Sequence, residues 1–533
     1  MPTRMLIVLK ATVRLDEGAS RVDSSPPGTE EEPRLPSSTP YLDQVLCGGW
    51  LQGGLYILAG SPGTGKTTLA NQMCHHLAEA GVSSVYVSLL TETYARMLLH
   101  LRTLRFFHQE YVGTRIHYVS GASALKEGSA HALLELLFET VREKGARLLV
   151  IDGFPVVREQ VRSQVAMREF LQALSVKAGL HGCTTFLLST EPGTGMDVEH
   201  VMADGILALY AERVGLKATR ELEMLKFRGS NHLAGRHNFS INENGVLVFP
   251  RYEVLNTRLS EKVADPDQRS RWGIPGLDEM CGGGLVTLSS TVIVGEPGSG
   301  KTLLGLHFLA EGARQGERGL YFGFSEGGLQ LLRKATCVGL PLEALVASGT
   351  VRLESRAPVE TLPDALAQEV VELVDAQHFR RLFLDGLGPI AREAIDPRRL
   401  PRFFSAFLSS LRDRGVTVLL AQQADGPLTT ERRPSVEGVD VLCDNLLVLR
   451  FFERDGGLHR LLSVRKMRDS GNDSSQRELS ISPQGVEVGP AYRAMETLLT
   501  RGPGKPPRPG TGKGRTRAAK KGTRGRPRGG ARR

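Results

Sequence analysis

Short apolar runs alternate along most of this chain with longer stretches in which apolar positions recur every three to four residues. The runs predict buried parallel strands, and the stretches predict amphipathic helices. In the first half of the chain the predicted strands span residues 55–59, 84–90, 115–119, 148–152 and 184–189. The predicted helices span residues 67–80, 93–105, 130–144 and 164–179. This alternation predicts an α/β fold around a mostly parallel sheet, with the chemistry in loops at strand ends.

The pattern occurs twice. The segment 42–51 recurs as 277–285, the strand-end Asp152 recurs as Asp385, and Lys226 recurs as Lys466. The separation is nearly the same for each pair, which indicates a duplicated domain of about 230 residues and excludes a short-period solenoid. We therefore predict a flexible N-terminal segment (1–37), a first domain (38–260), a linker (261–271), a second domain (272–492) and a disordered C-terminal tail (493–533).

A glycine-rich motif, G-x-x-x-x-G-K-[ST], follows the first predicted strand of each repeat and opens a helix. Its backbone N–H groups curl around phosphate oxygens, its lysine reaches the β- and γ-phosphates, and its threonine binds Mg²⁺. We therefore predict ATP with Mg²⁺ in both repeats. The predicted nucleotide-binding residues are Gly60, Ser61, Pro62, Gly63, Thr64, Gly65, Lys66, Thr67 and Thr68, and Gly295, Glu296, Pro297, Gly298, Ser299, Gly300, Lys301, Thr302 and Leu303.

Acidic residues at strand ends complete a hydrolytic site. Asp152 and Asp385 end apolar strands and, with Thr67 and Thr302, are the predicted metal residues. Glu92 and Glu326 follow another strand at equivalent positions of the two repeats, and are the predicted catalytic acids that orient water, beside Lys66 and Lys301. The alternative for both glutamates is a solvated carboxylate at a helix N-terminus, where the helix dipole stabilises its negative charge.

A third element pairs two cations around an apolar residue, as Lys226-Phe227-Arg228 and as Lys466-Met467-Arg468. Alternate residues of a strand share one face, so the two cations of each element are expected to point together. Such a pair could neutralise charge that develops on a triphosphate. The alternative is a solvated strand edge.

The net charge of +9 comes from the C-terminal tail. Residues 501–533 contain 13 Lys or Arg and no acid, which leaves 54 basic against 58 acidic residues elsewhere. A tail rich in Gly, Pro, Arg and Lys cannot form a core, and it could bind nucleic acid or another polyanion by counterion release. A solubilising arm, or an arm that docks on an acidic protein, is the alternative, and the tail lacks aromatic residues on which bases could stack.

The six cysteines are scattered without C-x-x-C spacing, and no apolar run approaches the length of a membrane span. These features favour a cytoplasmic protein without disulfides, a zinc site or a membrane contact.

The paired phosphate loops, the Gly-Gly segment before each of them, and the stretch Lys226 to His232 followed by 239–245 together resemble the KaiC family of tandem RecA-like ATPases. The resemblance covers about residues 38–490. It implies two RecA-like P-loop NTPase domains, a homo-hexameric double ring and a signalling partner protein. It also implies that Lys226, Arg228, His232, Asn242, Glu243, Lys466 and Arg468 contact ATP across a subunit boundary.

Two departures from the family pattern bear on function. Thr91 and Ser325 stand where the family commonly has the first of two glutamates, and Asp440 and Val441 stand where clock members have phosphorylated residues. A regulatory ring-forming ATPase is therefore the first hypothesis. A serine/threonine kinase that acts on itself or on a signalling partner, a DNA-associated RecA-type ATPase and a nucleotide-gated scaffold remain as alternatives.

Overall fold

The fold comes from a computed structural model that describes residues 33–90, 94–161, 163–190, 197–214, 217–357, 362–424, 438–454 and 456–491. Glu92 lies outside the described residues, as do residues 1–32 of the predicted N-terminal segment and the whole of the predicted tail.

The first domain contains eleven strands and eight α-helices within its described residues. Its strands are β1 (Arg34–Leu35), β2 (Trp50–Leu51), β3 (Leu55–Ala59), β4 (Ser84–Ser88), β5 (Ile116–Ser120), β6 (Leu148–Asp152), β7 (Thr184–Ser189), β8 (Gly205–Val214), β9 (Lys217–Phe227), β10 (His237–Asn242) and β11 (Gly245–Phe249). Its helices are α1 (Leu42–Val45), α2 (Lys66–Glu79), α3 (Tyr94–Leu101), α4 (Ala130–Lys144), α5 (Pro155–Gln160), α6 (Gln164–Leu180), α7 (Val198–Met202) and α8 (Tyr252–Leu255).

The second domain repeats this plan. Its strands are β12 (Arg269–Ser270), β13 (Leu285–Val286), β14 (Ser290–Gly295), β15 (Gly319–Gly323), β16 (Val351–Ser355), β17 (Arg381–Asp385), β18 (Thr417–Gln423), β19 (Asn445–Arg454), β20 (Gly457–Lys466), β21 (Gln476–Ser482) and β22 (Gly485–Ala491). Its helices are α9 (Pro275–Met280), α10 (Lys301–Arg314), α11 (Gly328–Cys337), α12 (Leu342–Ala347), α13 (Pro363–Gln377), α14 (Leu387–Glu393), α15 (Leu400–Asp413) and α16 (Val439–Leu442).

Both domains build the same central sheet. Among the described residues, nine strands pair in the order β5-β4-β6-β7-β3-β8-β9-β10-β11, and nine pair in the order β16-β15-β17-β18-β14-β19-β20-β21-β22. The first six strands of each order run parallel, and the last three are antiparallel. All five residues of β3 are buried, as expected for a parallel strand covered on both faces by helices. The predicted α/β class with two tandem RecA-like domains is confirmed.

Each domain has a core on both faces of its sheet and one tryptophan within it. Trp50 packs 4.7 Å from Tyr56, measured between ring centroids, and Trp272 packs 5.5 Å from Phe308. Both indoles are fully buried.

The regular structure of each domain begins before its predicted boundary, because β1 pairs with β2 and β12 pairs with β13. Within the described residues, no helix combines the length and the apolar character that a bilayer crossing requires.

A buried histidine makes the first domain sensitive to acid. His75 on α2 is fully buried, and burial together with the nearby His108 and His76 lowers its pKa from 6.5 to about 4. The unfolded chain therefore binds more protons than the folded one between these values, so stability is complete above pH 6.5 and is lost as pH falls towards 4. We expect His75 to remove about 2 kcal/mol of unfolding free energy between pH 7 and pH 5.

Urea denaturation in a Trp272→Phe background, where Trp50 alone reports on the first domain, measures this loss. His75→Gln should abolish the His75 share of the loss, and His131→Gln, at a well-exposed site on α4, should leave it intact. An equal pH dependence in all three proteins contradicts the prediction.

Candidate nucleotide sites

The two glycine-rich loops leave the carboxyl ends of β3 and β14 and lead directly into α2 and α10. Gly65 and Gly300 immediately precede these helices with φ of 106° and 105°, a conformation that favours glycine. A Cβ at Gly65 would lie 2.5 Å from Ile241 Cδ1, and one at Gly300 would lie 3.0 Å from Ile481 Cδ1. The positive φ therefore favours glycine at the start of each helix, and the close isoleucine adds a smaller packing constraint.

The lysine of each loop folds back over the loop itself. Lys301 Nζ donates to the carbonyl oxygens of Gly295 and Glu296, both at 2.8 Å. Lys66 Nζ donates to the carbonyls of Gly60 and Ser61, the latter at 3.0 Å. Burial lowers the pKa of both lysines, and Asp152 and Asp385 act in the opposite direction. Each loop thus holds a partly desolvated ammonium group at its centre, where a phosphate would be bound.

The loop threonine and the strand-end aspartate meet in both domains. Thr302 Oγ1 donates to Asp385 Oδ2 at 2.8 Å, and Thr67 Oγ1 donates to Asp152 Oδ2 at 3.3 Å. Burial raises the pKa of Asp385, while the hydrogen bond from Thr302 acts against this rise. A hydroxyl and a carboxylate oxygen are hard ligands of the kind that Mg²⁺ prefers, so the donor set fits the predicted metal.

A tyrosine supports each aspartate, and the sequence analysis did not identify it. Tyr86 OH donates to Asp152 Oδ2 at 2.6 Å, and Tyr321 OH donates to Asp385 Oδ2 at 3.1 Å. Both tyrosines lie in buried strands, where their rings are indistinguishable by pattern from other core residues. The one available signal was their recurrence at matched positions of the two repeats, on the strand next to the one that carries each aspartate.

A cavity of about 550 Å³ adjoins the second loop. It is bounded by the loop and the start of α10, by α11 with Lys334, by Glu326, and by the β21–β22 hairpin with Ile481. Its volume lies in the range of small-molecule sites. Glu326 Oε1 forms an ion pair with Lys334 Nζ. The predicted catalytic acid of this repeat therefore faces the same cavity as Lys301 and Thr302.

The first site has a smaller cavity of about 280 Å³, lined by Thr67, Thr68, Asp152 and His100 among others. Leu303, the counterpart of Thr68, lines the second cavity. The other predicted loop residues lie on the same two turns, where Thr64 Oγ1 donates to Ser61 O at 2.9 Å. These remaining residues are Pro62 and Gly63 in the first loop, and Pro297, Gly298 and Ser299 in the second.

The Lys-x-Arg elements lie away from the loop of their own domain. Lys226 pairs with Ile206 of β8, and Ile206 in turn pairs with Ile57 in the middle of β3. The N–H of Arg228 donates to the carbonyl oxygen of Asp204, just before β8. The element therefore faces the amino ends of the parallel strands, opposite the loop. Lys466 occupies the same place beside β19, and Arg468 follows the end of β20.

Backbone carbonyls hold these cations in place. Lys226 Nζ donates to the carbonyls of His200 and Val201 at 2.9 and 3.0 Å, and Arg228 donates to Val201 O at 2.9 Å. Lys466 Nζ donates to the corresponding segment, with Cys443 O at 2.6 Å. Both lysines adjoin a β-bulge, a feature that re-aims side chains.

The hairpin that carries Asn242 and Glu243 lies beside the loop of its own domain. Val246 N donates to Gln72 Oε1 of α2 at 2.6 Å, and Glu243 forms an ion pair with Arg105. In the second domain the equivalent hairpin lines the nucleotide cavity. The contact with ATP across a subunit boundary that the resemblance implied for Asn242 and Glu243 stays a prediction. His232 is half-buried in the loop after β9, on the side of Lys226.

Comparison with known proteins agrees with this geometry. The family model described as "ATPase: KaiC" matches residues 35–253 and 270–493, one match in each domain. The circadian clock oscillator protein KaiC of Thermostichus vulcanus is 27% identical over 485 residues, covering 88% of this chain and 92% of its own. KaiC 1 of a Synechocystis strain is 27% identical over 480 residues, covering 87% and 90%. With both domains matched and both sites built alike, this chain belongs to the KaiC family of ATPases.

Proposed function

We propose that this protein is a ring-forming regulatory ATPase in which each nucleotide is bound by one subunit and contacted by cations of the next. The observation that carries the proposal is the same in both repeats. The loop lysine, the loop threonine and the strand-end aspartate converge at the carboxyl ends of the strands, whereas the Lys-x-Arg element lies at their amino ends.

Different residues of the chain bind phosphate, hold the metal and orient water. Lys301 places a fixed positive charge where the β- and γ-phosphates of ATP would lie, and such preorganised charge stabilises the transition state. Thr302 and Asp385 would hold Mg²⁺, which neutralises charge on the phosphate oxygens when bound. Glu326 orients the attacking water, so that the bond between the γ-phosphorus and ADP breaks as the bond to water forms. Lys66, Thr67, Asp152 and Glu92 are the corresponding residues of the first repeat.

Exposed apolar residues mark the two faces that a ring would join. Beside the second loop, Leu329 of α11 is 85% exposed, and Leu99 of α3 is 61% exposed in the first domain. Beside the Lys-x-Arg elements, Val441 is 66% and Val201 54% exposed. The two sets lie on opposite faces, so their contact is head-to-tail, and such a contact closes into a ring when the rotation allows.

A purified-protein assay tests the function directly. We expect phosphate release from ATP with Mg²⁺ and no transfer of the γ-phosphate label to the protein, because Asp440 and Val441 cannot accept a phosphate in the usual manner of serine or threonine. Label retained on the protein would favour an autokinase. ATP binding without either signal would favour a nucleotide-gated scaffold, and stimulation of turnover by single-stranded DNA would favour a DNA-associated ATPase.

Complementation between inactive subunits tests the contact across the boundary. We expect Lys226→Ala, Arg228→Ala, Lys466→Ala and Arg468→Ala, combined in one chain, to lower turnover about 100-fold, because cations that face the developing charge are lost. Co-expression with a chain that carries Lys66→Ala and Lys301→Ala should restore about a quarter of the turnover, since about a quarter of random contacts join two intact halves.

Turnover in separately purified variants provides the baseline, and size-exclusion chromatography shows whether the mixed assemblies form. Mixed assemblies that form and remain inactive would place the cations and the loop they serve in the same subunit.

A further inference from the structure

One oxygen of Glu326 is anchored, and the other has no hydrogen-bond partner among the described residues. Glu326 Oε1 forms an ion pair with Lys334 Nζ. Glu326 Oε2 is buried, and no described residue donates a hydrogen bond to it. The backbone of Glu326 is also held, because Ser355 Oγ on the neighbouring strand β16 donates to its carbonyl oxygen at 2.7 Å. A carboxylate with a fixed backbone, one anchored oxygen and one acceptor left unsatisfied by the described residues suits the orientation of a water molecule.

Lys334 and Glu326 belong to one wall of the nucleotide cavity. Both line it, together with Lys301 and Thr302 of the loop. The side chain of Lys334, on α11, is 47% exposed, whereas that of Glu326 is 22% exposed. The lysine thus reaches from the open side of the cavity to the more enclosed carboxylate. The corresponding position on α3 of the first repeat is His100, which lines the first cavity with Thr67 and Asp152.

We propose that Lys334 is a positioning residue for hydrolysis in the second repeat, where its ion pair fixes the orientation of the Glu326 carboxylate towards the attacking water. The inference rests on the proposed ATPase function and adds a residue to it. Nothing in the motif of the loop requires a cation at this place, since Lys301 already supplies the charge on the phosphates. The helix position of Lys334, rather than a sequence motif, brings its ammonium to the carboxylate.

Kinetics in a Lys66→Ala background isolate the second site. We expect Lys334→Met to lower kcat about tenfold and to change KM less than about twofold. A tenfold loss is smaller than the roughly 100-fold loss of rate that a misplacement of about 1 Å can cause. Lys334→Arg should recover most of the loss. Arg314→Met removes a cation from the far end of α10, where the side chain is 75% exposed and pairs with Glu311, so kcat should stay near that of the background.

A double variant shows whether Lys334 acts through Glu326. In a Glu326→Gln protein, Lys334→Met should cost nothing further, since the carboxylate that it positions is gone. Losses that multiply, or a rise in KM with kcat unchanged, would overturn the inference in favour of a direct contact between Lys334 and ATP.

The same series separates this inference from the proposed function. Adding Lys301→Ala to the Lys66→Ala background should lower the remaining turnover by about 100-fold to 1,000-fold. A rate unchanged by this addition contradicts hydrolysis at these loops. An unchanged kcat in Lys334→Met contradicts the positioning role alone.

Discussion

Replacing Lys301 with alanine should lower ATP turnover in the second repeat by about 100-fold to 1,000-fold, the cost of removing one preorganised donor from a developing charge. The ammonium group is fixed by two loop carbonyls at 2.8 Å and is partly desolvated, so water cannot substitute for it after truncation. Lys66→Ala should have the same effect on the first repeat, where Lys66 contacts the equivalent carbonyls.

Phosphate release by both single variants and by the double variant measures how the two repeats share turnover. Lys177→Ala on α6 is a control, because its side chain is 41% exposed and lies outside both sites. If the double variant hydrolyses ATP as fast as the control, the loops do not carry the reaction. If one single variant alone loses nearly all turnover, the other repeat binds nucleotide without rapid hydrolysis.

The framework of the fold was accessible from sequence because local pattern determines it. The strands predicted at 55–59, 148–152 and 184–189 match β3, β6 and β7, and the helix predicted at 130–144 matches α4. The three strands are mostly buried, and the helix is amphipathic with its leucines on the buried face. Of the three antiparallel strands that extend each sheet, only the one that carries Lys226 or Lys466 was treated as a strand, and none of the antiparallel pairings was predicted. β9, for example, mixes exposed, partly exposed and buried positions, unlike the fully buried β3.

The site also contains a part that the sequence predicted and a part that it did not. The loop lysine and threonine belong to one short motif, and the aspartate ends a buried strand of the same sheet. Their positions in the sequence therefore predicted that they would lie close together. The contacts of Tyr321 with Asp385 and of Lys334 with Glu326 depend on neighbouring strands and on which face of α11 meets the cavity. Neither the order of the strands nor the rotation of a helix can be derived from a motif.

The boundary between the two domains contains the buried charge network whose disruption should destabilise the protein most. Arg399 forms two hydrogen bonds with Asp364, at 2.9 and 3.1 Å, and two with Glu253, at 2.9 and 2.8 Å. Asp364 also accepts hydrogen bonds from the N–H of Tyr252 and from Asn238 Nδ2, both in the first domain. The Arg399 guanidinium therefore bridges α8 of the first domain and α13 of the second, and Asp364 links the network to β10.

Arg399→Met should lower the free energy of unfolding by about 3–5 kcal/mol, the cost of removing one partner from a buried ion pair. The side chain of Asp364 is fully buried and that of Glu253 is 12% exposed, so both carboxylates would lose their cation without access to water. Burial would raise the pKa of Glu253, but the hydrogen bonds and the charge of Arg399 outweigh burial and lower it. Glu253 is thus held charged by Arg399, and that contribution is present at neutral pH.

Urea denaturation of single-tryptophan proteins measures the effect in each domain, with Trp50 reporting on the first and Trp272 on the second. We expect the two transitions to move apart in Arg399→Met, because the network couples the domains. The neighbouring Arg398 is a matched control, since its side chain is 91% exposed and pairs with Asp396 in the same short segment. Arg398→Met should change stability by less than about 0.5 kcal/mol.

A rescue variant distinguishes uncompensated charge from lost packing. Adding Asp364→Asn and Glu253→Gln to Arg399→Met removes both orphaned charges while nearly keeping the side-chain volumes. If buried charge causes the loss, this triple variant should regain part of the stability, because replacing a whole ion network costs less than breaking it. No recovery, or a loss in Arg399→Met as small as that in Arg398→Met, would mean that apolar contacts such as Tyr252 against Phe403 and Phe407 hold the two domains together.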